Sequence, residues 1–161
     1  PATGLFNRRY LEESFDGLVN RARTEGSPLS FVMFDLDRFS TLNAKYGQEF
    51  CDGLIVISSG VFRDVFSKED ILVRYGGDEF IFIFPGINGK TAKAKCEALC
   101  QAMRELRFPE YGELRLSCSM GIATLFENAS TAEELKERSD KALYIAKESG
   151  RDRAVCYEPG A

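Results

Sequence analysis

This sequence has no histidine among its 161 residues. That absence removes the commonest general base of enzymes and the commonest protein ligand of transition metals. Cysteine occurs five times, an odd number, and no two cysteines have the C-x-x-C spacing of many zinc and redox sites. Any metal is therefore expected to be a hard cation held by oxygen atoms. The thiols are expected to stay reduced, which indicates a cytoplasmic location, or a cytoplasmic domain if the full-length protein is anchored in a membrane.

The sequence also lacks a long apolar run and an excess of basic residues. No run approaches the roughly 20 apolar residues that a membrane-spanning helix needs, and no signal peptide is visible at the start. The formal net charge is −4, so there is no broad basic field to attract nucleic acid. We expect a single domain over residues 1–161, with no membrane contact and no nucleic-acid partner.

What is present is an alternation of helical and strand patterns. Apolar residues at helical spacing predict helices over about 8–25, 38–66, 90–106 and 131–149, with Asn7 capping the first and with Gly47 and Gly53 interrupting the second. Apolar runs predict strands over about 29–34, 71–75, 79–84, 115–125 and 153–157. This order predicts an α/β (α+β) fold: a mixed central sheet of about five or more strands, flanked by helices.

Two acidic clusters lie where predicted strands end. Asp35 and Asp37 close the first strand, while Asp78 and Glu79 lie in the turn of the hairpin. If those strands are neighbours, four carboxylates converge at one edge of the sheet, which is destabilising unless a cation lies between them. Mg²⁺ is the natural cation, with Mn²⁺ as a possible substitute. The alternative interpretation is a solvated acidic turn in an ordinary hairpin.

Five stretches resemble one family. "RYGGDEF" resembles the signature of the GGDEF domain, the diguanylate cyclase family. "TGLFNRR", "FDLDRFSTLNAKYGQEFCD", "CSMGIA" and "SDKALYIAKESGRDR" are similar to further motifs of that family, so the resemblance covers almost the whole chain. It implies a fold related to the palm of nucleotide polymerases and of class III nucleotidyl cyclases. It also implies an enzyme that condenses two GTP molecules into cyclic di-GMP and releases two pyrophosphates.

The resemblance further implies a role for individual residues. Asp35 and Asp78, with the main-chain carbonyl of Leu36, would hold Mg²⁺, and Glu79 would either be a further ligand or assist deprotonation of the attacking hydroxyl. The family's substrate-binding positions correspond to Phe39, Asn43, Asp52, Gly76, Gly77, Lys147 and Arg151. In this set Asn43 and Asp52 would read guanine, the two glycines would admit the nucleotide, and Lys147 and Arg151 would bind its phosphates.

Simpler interpretations exist for some of these residues. Asn43 is also explained as a surface amide and Asp52 as a helix-end carboxylate. The cations Lys147 and Arg151 are also explained by the favourable interaction of positive charge with a helix C-terminus. Their match to the family motifs favours the functional interpretation.

Four positions depart from the family pattern in the region that would face the nucleotide: Ser40, Ala44, Gln48 and Cys51 stand for lysine, aspartate, histidine and glycine. A lost lysine weakens charge stabilisation near a triphosphate. The alternative to an active cyclase is therefore a catalytically weak GGDEF module that binds GTP and serves as a regulatory or interaction domain. An enzyme that makes a different dinucleotide is a third possibility.

The resemblance also implies partners and regulation. Turnover requires a homodimer, and a sensor or dimerisation module is expected upstream of the opening motif. Many family members bind their product at an R-x-x-D motif. Here the matching residues are "SKED", where Ser67 replaces the arginine and Asp70 is retained. Since serine supplies neither charge nor a stacking plane, weak product binding is expected at this place.

Overall fold

The computed structural model describes residues 4–159 of the chain, so Thr3 of the opening motif lies outside the described residues. Its elements, in chain order, are strand β1 (Phe6–Asn7), helix α1 (Arg8–Glu25), strand β2 (Leu29–Leu36), helices α2 (Phe39–Tyr46) and α3 (Gln48–Val65), strands β3 (Ile71–Arg74) and β4 (Glu79–Pro85), helix α4 (Gly89–Glu105), a 3₁₀ turn (Pro109–Tyr111), strand β5 (Cys118–Thr124), helix α5 (Ala132–Glu148) and strand β6 (Arg153–Cys156).

The six strands form one mixed sheet in the order β1-β3-β4-β2-β5-β6. Strand β2 is central and pairs antiparallel with both β4 and β5, whereas β1 with β3 and β5 with β6 are parallel pairs. The predicted class, a mixed sheet flanked by helices, is confirmed. The antiparallel register places Asp35 opposite Glu79, so the end of β2 and the start of β4 meet at one edge of the sheet.

Each face of the sheet carries its own apolar layer, because side chains along a strand alternate between faces. One layer packs the phenylalanines of β4 and β2 against α3 and α4; it includes Phe34, Phe62, Phe80 and Phe82. The other layer packs Phe31 and Ile81 against α1 and α5. Helices therefore cover the central strands on both faces of the sheet, and this packing holds in place the edge where Asp35 lies.

Local signals explain most element boundaries. The Asn7 side chain accepts a hydrogen bond from the amide of Tyr10 at 2.9 Å, which caps α1 as predicted, and Gly26 ends that helix in the left-handed conformation at φ 66°. The predicted helical region 38–66 is two helices, because Gly47 has φ 91°, outside the helical range. Gly53, by contrast, lies inside α3 without breaking it.

Two further boundaries differ from the prediction. Strand β1 has only two residues, too few to carry a periodic pattern, so no sequence signal indicated it. Strand β5 begins at Cys118, three residues later than predicted.

Within residues 4–159, no helix is both long enough and apolar enough to cross a membrane.

Candidate active site

The candidate site lies at the edge of the sheet where β2 ends and β4 begins. Asp35 is the penultimate residue of β2, and its side chain is only 14% exposed. Asp78 directly precedes β4, and its carboxylate lies close enough to Asp35 to interact with it. Antiparallel pairing of β2 with β4 creates this proximity, so two of the predicted carboxylates do meet.

The negative charge of Asp35 is stabilised by one cation and destabilised by its other surroundings. The Lys147 ammonium, from the last turn of α5, forms an ion pair with Asp35 Oδ2. Burial raises the pKa of Asp35 to about 7; the Lys147 ammonium opposes this rise, and the Asp78 carboxylate adds to it. The ionised carboxylate is therefore disfavoured at this edge despite its cationic partner.

One oxygen of this carboxylate fits a bound cation. Asp35 Oδ1 is buried and has no hydrogen-bond partner within the described part of the chain. A buried acceptor without a partner is unfavourable, and a cation between Asp35 and Asp78 would satisfy it. No group of three or more His, Cys, Asp and Glu side chains among residues 4–159 is arranged to hold a metal ion. The predicted set of ligands is thus assembled only in part, at Asp35 and Asp78.

Glu79 lies at the same edge but does not complete the group. The residue is exposed. Its carboxylate folds back over Gly76: a Cβ atom built on Gly76 would lie 2.7 Å from Glu79 Oε1. Gly77 is exposed and faces open space, since a Cβ atom there would meet no described atom within 4 Å. Gly76 therefore makes room for the protein's own carboxylate, and Gly77 is the glycine that leaves the turn open to another molecule.

Arg74 is a residue whose role in this turn the sequence did not reveal. Its guanidinium donates hydrogen bonds to the carbonyl of Gly76 at 3.3 Å and to that of Gly77 at 3.0 Å. Binding to carbonyls of a loop depends on the fold of that loop, and no sequence signal indicates it.

Asp37 does not join the other carboxylates, which corrects the expectation that all four converge. Its side chain turns towards β5 and accepts hydrogen bonds at 2.6 Å from both Ser117 Oγ and Ser119 Oγ. It also accepts one from the amide of Asp152 at 3.0 Å. The residue is 6% exposed. Its oxygens are thus engaged within the protein, on the side of β2 away from β4.

The residues predicted to read guanine lie on α2 and α3. Phe39 begins α2 and packs at the margin of the core, and Asn43 is half-buried in the same helix. Asp52 is exposed in the first turns of α3, where its Oδ1 accepts a hydrogen bond from Gln48 Nε2 at 2.7 Å. The glutamine that replaces the family's histidine therefore contacts the predicted guanine-reading carboxylate directly.

The other departures from the family pattern have different surroundings. Ser40 and Ala44 are exposed on α2. Cys51 is fully buried on α3 and has no left-handed backbone. Its Cβ atom therefore fits the helix without straining the backbone beside Asp52.

Arg151 follows α5 in the left-handed conformation, at φ 63°. Its amide donates to the carbonyl of Ala146 at 3.0 Å, which closes the end of the helix. The residue is half-buried, and its guanidinium forms no hydrogen bond or ion pair with any residue of the described range 4–159. Lys147 and Arg151 thus leave the same helix end, the first already paired with Asp35.

A cavity of about 660 Å³ lies elsewhere, between α3 and the 3₁₀ turn. Four of its eleven lining residues are aromatic: Tyr46, Phe50, Phe108 and Tyr111. None of the predicted site residues lines it.

Known proteins resemble this chain over almost its whole length. The family model described as "Diguanylate cyclase, GGDEF domain" matches residues 1–153. The chain is 36% identical over 154 residues to the diguanylate cyclase DgcP of Pseudomonas aeruginosa, covering 95% of this chain and 23% of the relative. It is 38% identical over 157 residues to the diguanylate cyclase DgcS of Shewanella oneidensis, covering 97% of this chain and 50% of the relative. The chain thus spans half or less of the length of these two relatives.

Solved structures show the same fold. The active GGEEF domain of a diguanylate cyclase from Vibrio cholerae superposes with a TM-score of 0.90 at 31% identity, covering 97% of this chain and 99% of that one. The GGDEF domain of DgcB from Caulobacter crescentus, solved in complex with c-di-GMP, superposes with a TM-score of 0.88 at 26% identity, covering 97% and 90%.

Proposed function

Because this chain belongs to the GGDEF diguanylate cyclase family, we propose that it condenses two molecules of GTP into cyclic di-GMP and releases two pyrophosphates. The observation that carries the proposal is the buried Asp35 carboxylate beside Asp78 and Lys147, with one oxygen unpartnered among the described residues. This arrangement suits a site in which a divalent cation and phosphates meet.

The cation site would be formed by Asp35 and Asp78, with the carbonyl of Leu36 and the nearby Glu79 as further ligands. Mg²⁺ is the cation proposed, and Mn²⁺ is a possible substitute. When bound, such an ion lowers the pKa of an attacking hydroxyl and stabilises the charge on a leaving pyrophosphate. Because two carboxylates are in place, substrate phosphates and water would complete its coordination.

The chain's own residues would bind and orient the triphosphate. Lys147 already presents its ammonium at the edge of the sheet, paired with Asp35. Arg151 leaves the same helix end, and the planar donor pattern of its guanidinium fits phosphate oxygens. Gly77 leaves the backbone of the turn accessible to the nucleotide. These three residues would hold the phosphates beside the carboxylates.

Guanine would be recognised on α2 and α3. A carboxylate at Asp52 accepts from N1–H and the exocyclic amine of guanine, while the amide of Asn43 donates to its O6. Phe39 would offer an apolar contact nearby. The exposed Glu79 carboxylate is available to accept the proton of the attacking hydroxyl or to act as a cation ligand.

A second candidate is a catalytically weak module that binds GTP and regulates a larger protein. The specific observation in its favour is Ser40, which is exposed on α2 and supplies no charge where the family has lysine.

We place the protein in the cytoplasm, acting as a homodimer. By the family resemblance a sensor or dimerisation module is expected upstream, and the two relatives are longer than this chain.

The test is direct: incubate the protein with GTP and Mg²⁺ and measure cyclic di-GMP and pyrophosphate. Product that disappears on adding a chelator and in Asp78→Ala supports the cyclase. The matched control is Asp16→Ala, an exposed aspartate on α1, which should keep full activity. GTP binding without product, together with product formation by Ser40→Lys, would favour the weak module.

A further inference from the structure

The turn that carries Arg151 has an unusual backbone. Three successive residues have positive φ: Gly150 at 121°, Arg151 at 63° and Asp152 at 50°. Glycine adopts such angles readily, whereas other residues do so uncommonly, and aspartate tolerates them better than arginine does. A conformation of this kind persists only where surrounding contacts fix it, and such segments cluster at functional sites.

Two contacts fix this turn through Asp152. The Arg104 guanidinium, from α4, donates through Nε to both carboxylate oxygens of Asp152, at 3.0 and 2.8 Å. The amide of Asp152 donates to Asp37 Oδ2 at 3.0 Å. Arg104 therefore holds the side chain of Asp152 at the protein surface, and Asp37 holds its backbone amide in the interior.

Asp37 is itself held rigidly. It directly follows β2, two residues after Asp35, and its carboxylate is oriented by hydrogen bonds from Ser117 Oγ and Ser119 Oγ. It is 6% exposed. The same segment that presents Asp35 at the edge thus also anchors the turn that bears Arg151.

We infer that Asp37 and Arg104 are positioning residues for Arg151: by fixing Asp152, they hold the turn 150–152 so that the Arg151 guanidinium points at the phosphates of bound GTP. The inference rests on the proposed function. It assigns to the second aspartate of "DLD" the task of orienting a phosphate-binding residue, rather than of binding a cation.

The test compares nucleotide affinity in single and double variants. Affinity is measured by calorimetry with Mg²⁺ and a GTP analogue that has a methylene bridge between the α and β phosphorus atoms, so that no pyrophosphate leaves. The variants are Asp37→Asn, Arg104→Gln, Arg151→Ala and the double variant Arg104→Gln/Arg151→Ala. Thermal unfolding verifies that each one is folded, and Arg21→Gln, which breaks the exposed Arg21–Glu25 pair, is the matched control.

Arg151→Ala, Arg104→Gln and Asp37→Asn should each weaken binding of the analogue by about tenfold, as expected when a charge-assisted hydrogen bond is removed or misdirected. In the Arg151→Ala background, Arg104→Gln should have no further effect, because it acts only through Arg151. Guanosine, which has no phosphates, should bind with the same affinity to every variant, a result that general destabilisation would not give.

Two outcomes would overturn the inference: unchanged affinity in a folded Arg104→Gln protein, or an equal loss from Arg104→Gln with and without Arg151. If Asp37→Asn does not fold, the affinity of Arg104→Gln decides whether the inference stands, because the Arg104–Asp152 pair lies at the surface. A wild type that does not bind the analogue would contradict the proposed function, and the positioning role with it.

Discussion

At the scale of single residues, Asp35 is under opposing demands. It is buried beside a second carboxylate, which disfavours its charge, and it is paired with Lys147, which favours it. The unfavourable effects dominate, and the pKa is raised to about 7. A carboxylate in this state reduces the stability of the folded protein near neutral pH, as expected where a residue is retained for binding rather than for folding.

This leads to a prediction about how the stability of the folded protein changes with pH, measured with a chelator present so that no metal ion binds Asp35. The folded pKa of Asp35 exceeds its ordinary value of 3.8, so the folded state retains a proton that the unfolded state has lost between about pH 4 and pH 7. Stability from this group therefore falls as pH rises through that window. Asp35→Asn does not undergo this fall, so its melting temperature should rise relative to wild type from pH 4 to pH 7 and then level off.

The matched control for that measurement is Asp16→Asn, at an exposed position on α1. This variant also removes one carboxylate, but it leaves Asp35 and its surroundings unchanged. A difference between Asp35→Asn and wild type that does not change with pH would show that burial does not govern this carboxyl.

A second prediction at this scale concerns base selectivity. If Asp52 reads guanine, ATP offers no matching donors and leaves the carboxylate unpaired, so the wild type should prefer GTP strongly. Asp52→Ala should weaken GTP binding and reduce that preference, with little effect on ATP. Competition binding of the two nucleotides measures this, with Asp64→Ala, an exposed aspartate on the same helix, as control. Equal competition by ATP and GTP in the wild type would contradict the role.

At the scale of elements, the sequence was most informative where a pattern is long. The four helical regions and the hairpin have enough turns or alternations to be read directly, and Asn7 marks a helix start. The pairing of β2 with β4 could only be assumed, yet it is what brings Asp35 to Asp78. The expectation that Asp37 joins the other carboxylates was wrong. Asp37 follows the end of β2, and the regular alternation of side chains that holds along a strand no longer fixes its direction.

The break between α2 and α3 gives a prediction that belongs to this scale. Gly47 has φ 91°, a conformation in which a Cβ atom is strained, so Gly47→Ala should destabilise the protein by about 1–2 kcal/mol. Gly53 lies within α3, and a Cβ atom there would meet no described atom within 4 Å, so Gly53→Ala should stabilise by about 0.5–1 kcal/mol. Urea unfolding of both variants measures the two effects. Equal effects would show that Gly47 does not define the boundary.

The segment before β3 gives a prediction about product binding. Asp70 is already engaged: its Oδ2 pairs with the Lys95 ammonium at 2.6 Å and accepts from the amide of Ser67 at 2.9 Å. Its side chain is only 2% exposed. We expect the wild type to bind cyclic di-GMP weakly here, and Ser67→Arg to bind it more tightly by supplying a stacking cation. Calorimetry measures both, with the adjacent Lys68→Arg as control.

Tight binding of cyclic di-GMP by the wild type that is lost in Asp70→Ala would contradict this expectation. It would show that the site functions without an arginine at Ser67. An unfolding measurement on Asp70→Ala is needed beside it, since the Lys95–Asp70 pair also stabilises the segment.

At the scale of the whole molecule, the sheet brings together one set of site residues. Lys147, Asp35 and Asp78 come from α5, β2 and the hairpin turn, and they meet at one edge. Such a set suits one GTP per chain. The product proposed here contains two nucleotides, so a single chain would supply half of what the reaction needs, and the second half would come from another copy.

The last prediction follows from that stoichiometry. If two loaded domains must face each other, the rate should rise faster than linearly with protein concentration, because the active species is a dimer in equilibrium with monomers. Specific activity, measured over about a hundredfold range of protein concentration, should therefore increase with concentration until the dimer saturates. The control is the same chain fused to a parallel two-stranded coiled coil, which holds two copies at high effective concentration. The fused protein should keep a constant specific activity on dilution, whereas constant activity in the unfused chain would mean that one copy, or a dimer too tight to dissociate, suffices. Analytical ultracentrifugation at the lowest concentration separates those two cases, and an active monomer would contradict the requirement for a pair.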